Sequence, residues 1–181
     1  MKRKIILLLN EYPYGVGEYS FIKTELEYLL KEYELVIISF SKSQNRKMHL
    51  DHRITLYHCI NRFGFIEKIY AVIKFIFSRV GWHELKEILK DKKDIAGRIY
   101  DSIAYYGCAL QISHFVHLNK IIPQNENIII YSYWFNEACL AFLLKKRRYN
   151  NYKVISRIHG YDLYNERKKY GRQPFRSYMN E

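Results

Sequence analysis

Lys4-Ile5-Ile6-Leu7-Leu8-Leu9-Asn10-Glu11-Tyr12-Pro13-Tyr14-Gly15-Val16-Gly17-Glu18 follows a short basic start. The apolar run has no polar alternation, which is the pattern of a strand covered on both faces of a parallel sheet. Pro13, Gly15 and Gly17 then punctuate a loop. Glu18 to Lys31 reads as a helix, with Phe21, Ile22, Leu26, Leu29 and Leu30 near one face. Leu35 to Phe40 reads as the second strand. This strand–loop–helix–strand order opens an α/β, doubly wound parallel sheet. A signal peptide is the rival reading of the N-terminus, but Ile5 to Leu9 is too short for its apolar core. No stretch is long and apolar enough for a transmembrane helix.

Further along, Ser41 to Arg53 reads as a loop and Ile54 to Tyr57 as a short strand. Phe63 to Lys93 reads as helix in two pieces divided near Gly81. Ala96 to Leu118 is a third helical stretch, weakened by Gly97 and Gly107. Ile122 to Asn125 is a turn. Asn127 to Tyr133 is a strong strand, Asn136 to Arg148 the helix after it, and Tyr152 to Arg157 the next strand. Pro174 to Tyr178 starts one more helix. No repeat or flexible linker interrupts the chain. Its 181 residues suit one α/β domain and are too few for two.

Composition narrows the classes. With 49% hydrophobic residues, a buried core is expected. The 18 tyrosines fit aromatic sugar-binding clefts and also fit an AT-rich coding bias; the second accounts for most of them. The formal net charge of +12 attracts anions. No RNA-binding aromatic pattern, zinc-finger spacing or helix-turn-helix accompanies it, so nucleic acid ranks below a lipid-phosphate or anionic membrane surface. Cys59, Cys108 and Cys139 are isolated and show no metal-ligand spacing, which fits core thiols in a reducing cytoplasm.

Five stretches carry candidate chemistry. Gly15-Val16-Gly17-Glu18 lets a ligand approach the backbone closely, at the amino end of a helix. It is neither a dinucleotide fingerprint, since Ser20 stands at the third glycine position, nor a phosphate loop ending in Gly-Lys-Ser/Thr. An ordinary tight turn is the alternative. Arg157-Ile158-His159-Gly160-Tyr161-Asp162 directly follows a predicted strand, at the ligand edge of such sheets. There His159 is a hydrogen-bond donor for a sugar hydroxyl or phosphate oxygen, and Asp162 orients a hydroxyl or caps the next segment. Tyr133 and Trp134, within Tyr131 to Glu137, either stack on a sugar or lipid head group or pack beneath the cleft; Asn136 is also a candidate N-cap. Phe65 to Val80 interleaves apolar residues with Lys68, Lys74 and Arg79. It reads either as a membrane-surface helix or as a helix half-buried in the domain. Two basic clusters, Lys145 to Arg148 and Arg167 to Lys169, are either solvated faces or contacts for anionic lipid. No hydrolase motif is present.

In combination, Tyr12-Pro13-Tyr14-Gly15 with Gly17-Glu18, Tyr131-Ser132-Tyr133-Trp134, Arg157 to Tyr164, and Pro174-Phe175-Arg176 resemble the family-4 glycosyltransferases. The resemblance covers nearly the whole chain. It implies the N-terminal, acceptor-side Rossmann-like half of a two-domain GT-B enzyme that builds bacterial surface polysaccharides. It implies retaining transfer from a nucleotide-sugar to a glycan or lipid-linked acceptor, with no metal and no cofactor. His159 matches the family's cleft histidine, and Gly15 and Gly17 its glycine loop. Val16, Glu18, Tyr133, Trp134, Arg157, Gly160 and Asp162 follow as substrate-binding candidates.

By the same comparison the nucleotide-sugar domain lies outside residues 1–181, and the chain alone is expected to be inactive and weakly self-associating. The expected location is cytoplasmic, peripheral on the inner membrane face. A non-catalytic binding module and a membrane-adhering protein remain the other readings. All of them expect Gly15 and His159 at one edge of the sheet.

Overall fold

The computed structural model of the chain describes residues 2–60, 64–123, 127–146 and 152–180. Five strands form one sheet: β1 (Arg3–Leu9), β2 (Tyr33–Ser39), β3 (Thr55–His58), β4 (Ile128–Ser132) and β5 (Tyr152–Ser156). The order is β3-β2-β1-β4-β5 and every pairing is parallel. Strand order reverses between β1 and β4. The fold is α/β, Rossmann-like and doubly wound.

Burial on both faces explains the apolar runs. In β1, Ile6 and Leu8 point to one core and Ile5, Leu7 and Leu9 to the other. β2 divides the same way, with Val36 and Ile38 against Leu35 and Ile37. In β4, Ile128 and Ile130 face the first core, while Ile129 and Tyr131 pack on the second.

α1 (Tyr19–Glu32) covers the second core through Ile22, Leu26 and Leu30, spaced four apart. Phe21, expected on that face, is exposed. Where a second helix would cover this layer, the loop between β2 and β3 supplies Met48 and Leu50 instead. The first core lies under α2 (Phe65–Ile76), α3 (Arg79–Lys90), α4 (Ile95–Leu118) and α5 (Glu137–Lys146).

The division expected near Gly81 is found, while Gly97 and Gly107 do not interrupt α4. The break falls at Phe77 and Ser78, where Ser78 caps α3 by accepting from the Gly81 N–H at 2.8 Å. A Cβ on Gly81 would lie 2.0 Å from the Phe75 carbonyl oxygen. Gly81 therefore lets two helices meet at a sharp corner. α4 runs unbroken through Gly97 and Gly107, and a Cβ on Gly97 would strike the Tyr170 ring at 2.5 Å.

After β5 the chain forms α6 (Gly160–Leu163), a 3-10 turn (Asn165–Arg167) and α7 (Arg176–Met179). This tail is wired into the core. Phe175 is fully buried, stacks on Tyr105 and Tyr106, and meets Phe75 edge-on. Its left-handed backbone (φ 56°) shows that this packing outweighs a local conformational cost. Fully buried Glu84 pairs with Arg172 and accepts from Ser102 at 3.0 Å. Arg98 donates to the Tyr170 carbonyl at 3.0 Å and to Asp91 at 2.8 Å.

Cys59 and Cys139 are buried, Cys108 is partly buried, and none of the three is joined in a disulfide. Burial pushes Cys59 up to about 12 and Cys108 and Cys139 up to about 11, so they stay protonated as core residues.

The Glu84–Arg172 pair generates a stability prediction. Arg172→Ala leaves a carboxylate unpaired in the interior and should cost about 3–5 kcal/mol in urea unfolding. Replacing both partners, Arg172→Met with Glu84→Leu, should recover most of that loss.

Candidate functional site

Five parallel strands put all their carboxyl ends at one edge, so the loops after β1, β4 and β5 share a rim. Gly15 and His159 lie on that same edge. The switch between β1 and β4 is where doubly wound sheets open a crevice. Asn136 spans it, donating from Nδ2 to Asn10 Oδ1 at 3.0 Å. Its own Oδ1 accepts from the Ala138 N–H at 3.1 Å, so the N-cap reading of Asn136 holds.

Glu18 organises the rim. It is only 4% exposed. One carboxylate oxygen accepts from the Asn10 N–H at 3.0 Å and from the Trp134 indole N–H. The other accepts from the Glu11 and Tyr12 N–H groups at 2.8 and 2.9 Å. Glu18 therefore shapes the loop and has little capacity left for a ligand. No side chain caps α1, and its first turn holds no acidic residue. The N-cap is Glu18 itself, so the negative charge at the amino end of α1 is this buried carboxylate.

The two glycines differ. A Cβ on Gly15 would meet Glu11 at 2.5 and 2.8 Å, whereas one on Gly17 would meet Glu11 at an ordinary 3.5 Å. Gly15 is required by the turn itself, in which the Tyr14 and Gly15 N–H groups both donate to the Glu11 carbonyl. The Glu11 carboxylate therefore lies over the glycine loop, beside the exposed Val16. Sequence reading passed over Glu11 because it belongs to no motif; a charged residue between a strand and its glycine turn was the available signal.

The opposite wall comes from β4 and β5. Tyr133 is buried and Trp134 partly exposed. His159 packs against both rings, 5.2 Å from Tyr133 and 4.4 Å from Trp134 between centroids. His159 Nε2 lies 2.9 Å from the Tyr133 carbonyl oxygen, which makes Nε2 the protonated nitrogen. His159 and Asp162 cap α6 reciprocally, with the His159 N–H donating to the Asp162 carboxylate at 3.3 Å. Buried Asp162 also accepts from the Phe135 N–H at 3.4 Å and pairs with Lys168 at 3.4 Å. It staples the wall, which is the capping alternative for that residue. Gly160 is exposed beside it.

Arg157 also packs on Tyr133. It donates to Glu25 at 3.1 Å, reaches the Tyr133 hydroxyl at 3.3 Å, and lies over the Tyr133 ring. Glu25 also accepts from the Tyr131 hydroxyl at 2.6 Å, and burial reinforced by Glu25 raises that phenol's pKa. Arg157, Glu25 and Tyr131 line a cavity of about 540 Å³ with Leu29 and Ile155, on the face beside α1. In the basic tail, Arg167, Lys168 and Lys169 cover the rings of Tyr164, Tyr161 and Tyr170. In the other cluster, Arg147 and Arg148 lie outside the described residues. Among the described residues no His, Cys, Asp or Glu group could hold a metal ion.

Glu18→Gln replaces two acceptor oxygens with one and turns an NH₂ toward protein donors. It should lower stability by about 1–3 kcal/mol. The Trp134 indole proton should shift in the NMR spectrum. An unchanged melting temperature and indole resonance would show that Glu18 does not hold the rim.

Comparison with protein-family models gives no match, and comparisons with curated proteins and with solved structures give no significant match.

Proposed function

We propose that this chain is the acceptor-side half of a retaining glycosyltransferase resembling family 4, acting on a glycan or lipid-linked acceptor in bacterial surface-polysaccharide synthesis. The observation that carries the reading is the make-up of the rim. A partly exposed indole, an imidazole and a carboxylate over a glycine loop are tied to one buried acid. An aromatic face with hydrogen-bonding groups beside it suits a sugar ring, whose C–H faces are apolar and whose hydroxyls donate and accept.

In this reading Trp134 stacks on the sugar and Glu11 accepts from a hydroxyl. Glu11 also sets the order of events. Its carboxylate would repel a phosphate at Gly15 and Gly17 unless the side chain swings out first. The His159 Nε2–H now faces the Tyr133 carbonyl; a leaving phosphate oxygen would compete with that carbonyl for it. Retaining transfer develops negative charge on that oxygen, which the backbone N–H groups of Val16 and Gly17 would stabilise once Glu11 has swung out. Transfer itself rests with a nucleotide-sugar domain that these residues do not contain.

The test is an NMR titration of the chain with a short oligosaccharide and, separately, with a nucleotide-sugar. The oligosaccharide should shift the Gly15, Gly17, Gly160 and Trp134 indole resonances with a Kd of about 1 mM, a weak affinity suited to half a cleft. Trp134→Ala should abolish the shifts, and Gly17→Ala should weaken them without lowering stability. Absence of rim shifts with both ligands would sink the proposal.

A further inference from the structure

α2 is oriented the wrong way round for a helix of a domain surrounded by water. Only Ala71 and Phe75 are buried. At about 100° per residue, Val72, Phe65, Ile76, Ile69, Ile73, Ile66 and Tyr70 fill one unbroken arc of roughly 160° on the outward side. All seven are exposed, Phe65 and Ile66 at 78%. Phe77, just past the helix, is 84% exposed. In an ordinary surface helix the wide apolar face meets the core and the polar face meets water. Here the contact with the core is the narrow face.

The charged residues lie at the two rims of that arc. Lys68 lies on one side and Lys74 with Glu67 on the other, at the angles that 3.6 residues per turn assigns them. The Lys74 ammonium lies 5.5 Å from the Tyr70 ring centre, so its stem lies along the apolar face while its head stays at the edge. Beside the helix, a cleft of about 690 Å³ between α2, α4 and α5 carries His114, His117 and Lys145, with Glu67 as the acidic residue among its lining groups. The Lys145 and Glu67 charges of that cleft offset each other, and the chain as a whole carries a formal net charge of +12.

We propose that α2 is a membrane-docking helix that lies in the plane of an anionic phospholipid surface. The apolar arc enters the acyl boundary, and Lys68, Lys74 and the neighbouring basic groups meet lipid phosphates. The charge decides the occupant. A second copy would bring together two chains of formal net charge +12, whereas an anionic leaflet attracts that charge. Nucleic acid would satisfy the cations but leave the aliphatic arc in water. Among the described residues no helix is long and apolar enough to cross a membrane, so the contact is peripheral. The inference is independent of the sugar-binding reading, because it uses none of the rim residues.

The test is flotation of the full chain with vesicles of phosphatidylcholine and phosphatidylglycerol in a two-to-one ratio, and with phosphatidylcholine alone. The chain should bind the anionic vesicles at least about tenfold more tightly, with the difference shrinking in high salt. Ile69→Asp with Ile73→Asp changes two exposed positions and should reduce binding by about tenfold or more. Lys68→Glu with Lys74→Glu should remove the preference for anionic lipid. Phe21→Asp, on the opposite face of the sheet, should leave flotation unchanged. Circular dichroism checks that each variant is folded. Equal flotation of the Ile69/Ile73 variant and the parent would overturn the proposal, and so would equal loss in Phe21→Asp. If sedimentation shows a dimer that the Ile69/Ile73 variant dissolves, while the parent ignores vesicles, the face belongs to a second copy and the proposal fails.

Discussion

One buried carboxylate decides the shape of the carboxyl rim. Glu18 gathers three consecutive backbone N–H groups, of Asn10, Glu11 and Tyr12, and the Trp134 indole onto its two oxygens. Parallel strands end with unpaired N–H groups wherever the chain leaves the ladder, and leaving them dry and unpaired is costly. The acid satisfies those donors from the start of the next helix. It therefore bends the loop back over the strand and sets the position of Glu11 above the glycines. By holding Trp134, it also ties the β1 side of the crevice to the β4 side. His159, packed on Trp134, inherits its place from the same acid.

This interaction explains which parts of the molecule were legible in the sequence. Strands β1, β2 and β4 announce themselves because burial on both faces demands consecutive Ile, Leu and Val. Their order then places the β1, β4 and β5 loops on one edge without further information. A side chain's partners are another matter. Glu18 and Arg157 were marked by position as ligand groups, and Asp162 as either a ligand group or a cap; their partners here are backbone donors for Glu18 and Asp162 and Glu25 for Arg157. Sequence position fixes the edge on which a residue lies; it does not fix which donors the chain brings to it from far away. The division expected near Gly81 is present, and its cause is steric. Helix propensity treats glycine as a weak point, but here the missing Cβ admits the Phe75 carbonyl at the corner of two helices.

α2 shows where periodicity alone leaves two answers open. The interleaved apolar and basic residues fit a half-buried helix as well as a surface one, because the pattern shows the width of the apolar face but not its direction. Only the placement of Ala71 and Phe75 against the core settles the orientation. The small residue and the single large ring make a narrow contact, and that leaves the broad aliphatic arc outward.

The second wall of the crevice depends on the end of the chain more than on the sheet. Residues 157–163 expose Ile158, Tyr161 and Leu163, so apolar burial contributes little to holding them. Polar contacts from the tail do that work. Lys168 pairs with Asp162, and Arg176 donates to the carbonyls of Asp162 and Leu163. Gln173 donates to the Phe135 carbonyl at 3.1 Å, beside the N–H that Asp162 holds. The tail can impose this geometry because it is itself anchored, by Phe175 in the aromatic core and by Arg172 on Glu84. The position of His159 is thus over-determined, from Trp134 on one side and from the anchored tail through Asp162 on the other. A wall with few apolar contacts becomes rigid by borrowing the stability of a core whose residues lie elsewhere in the sequence.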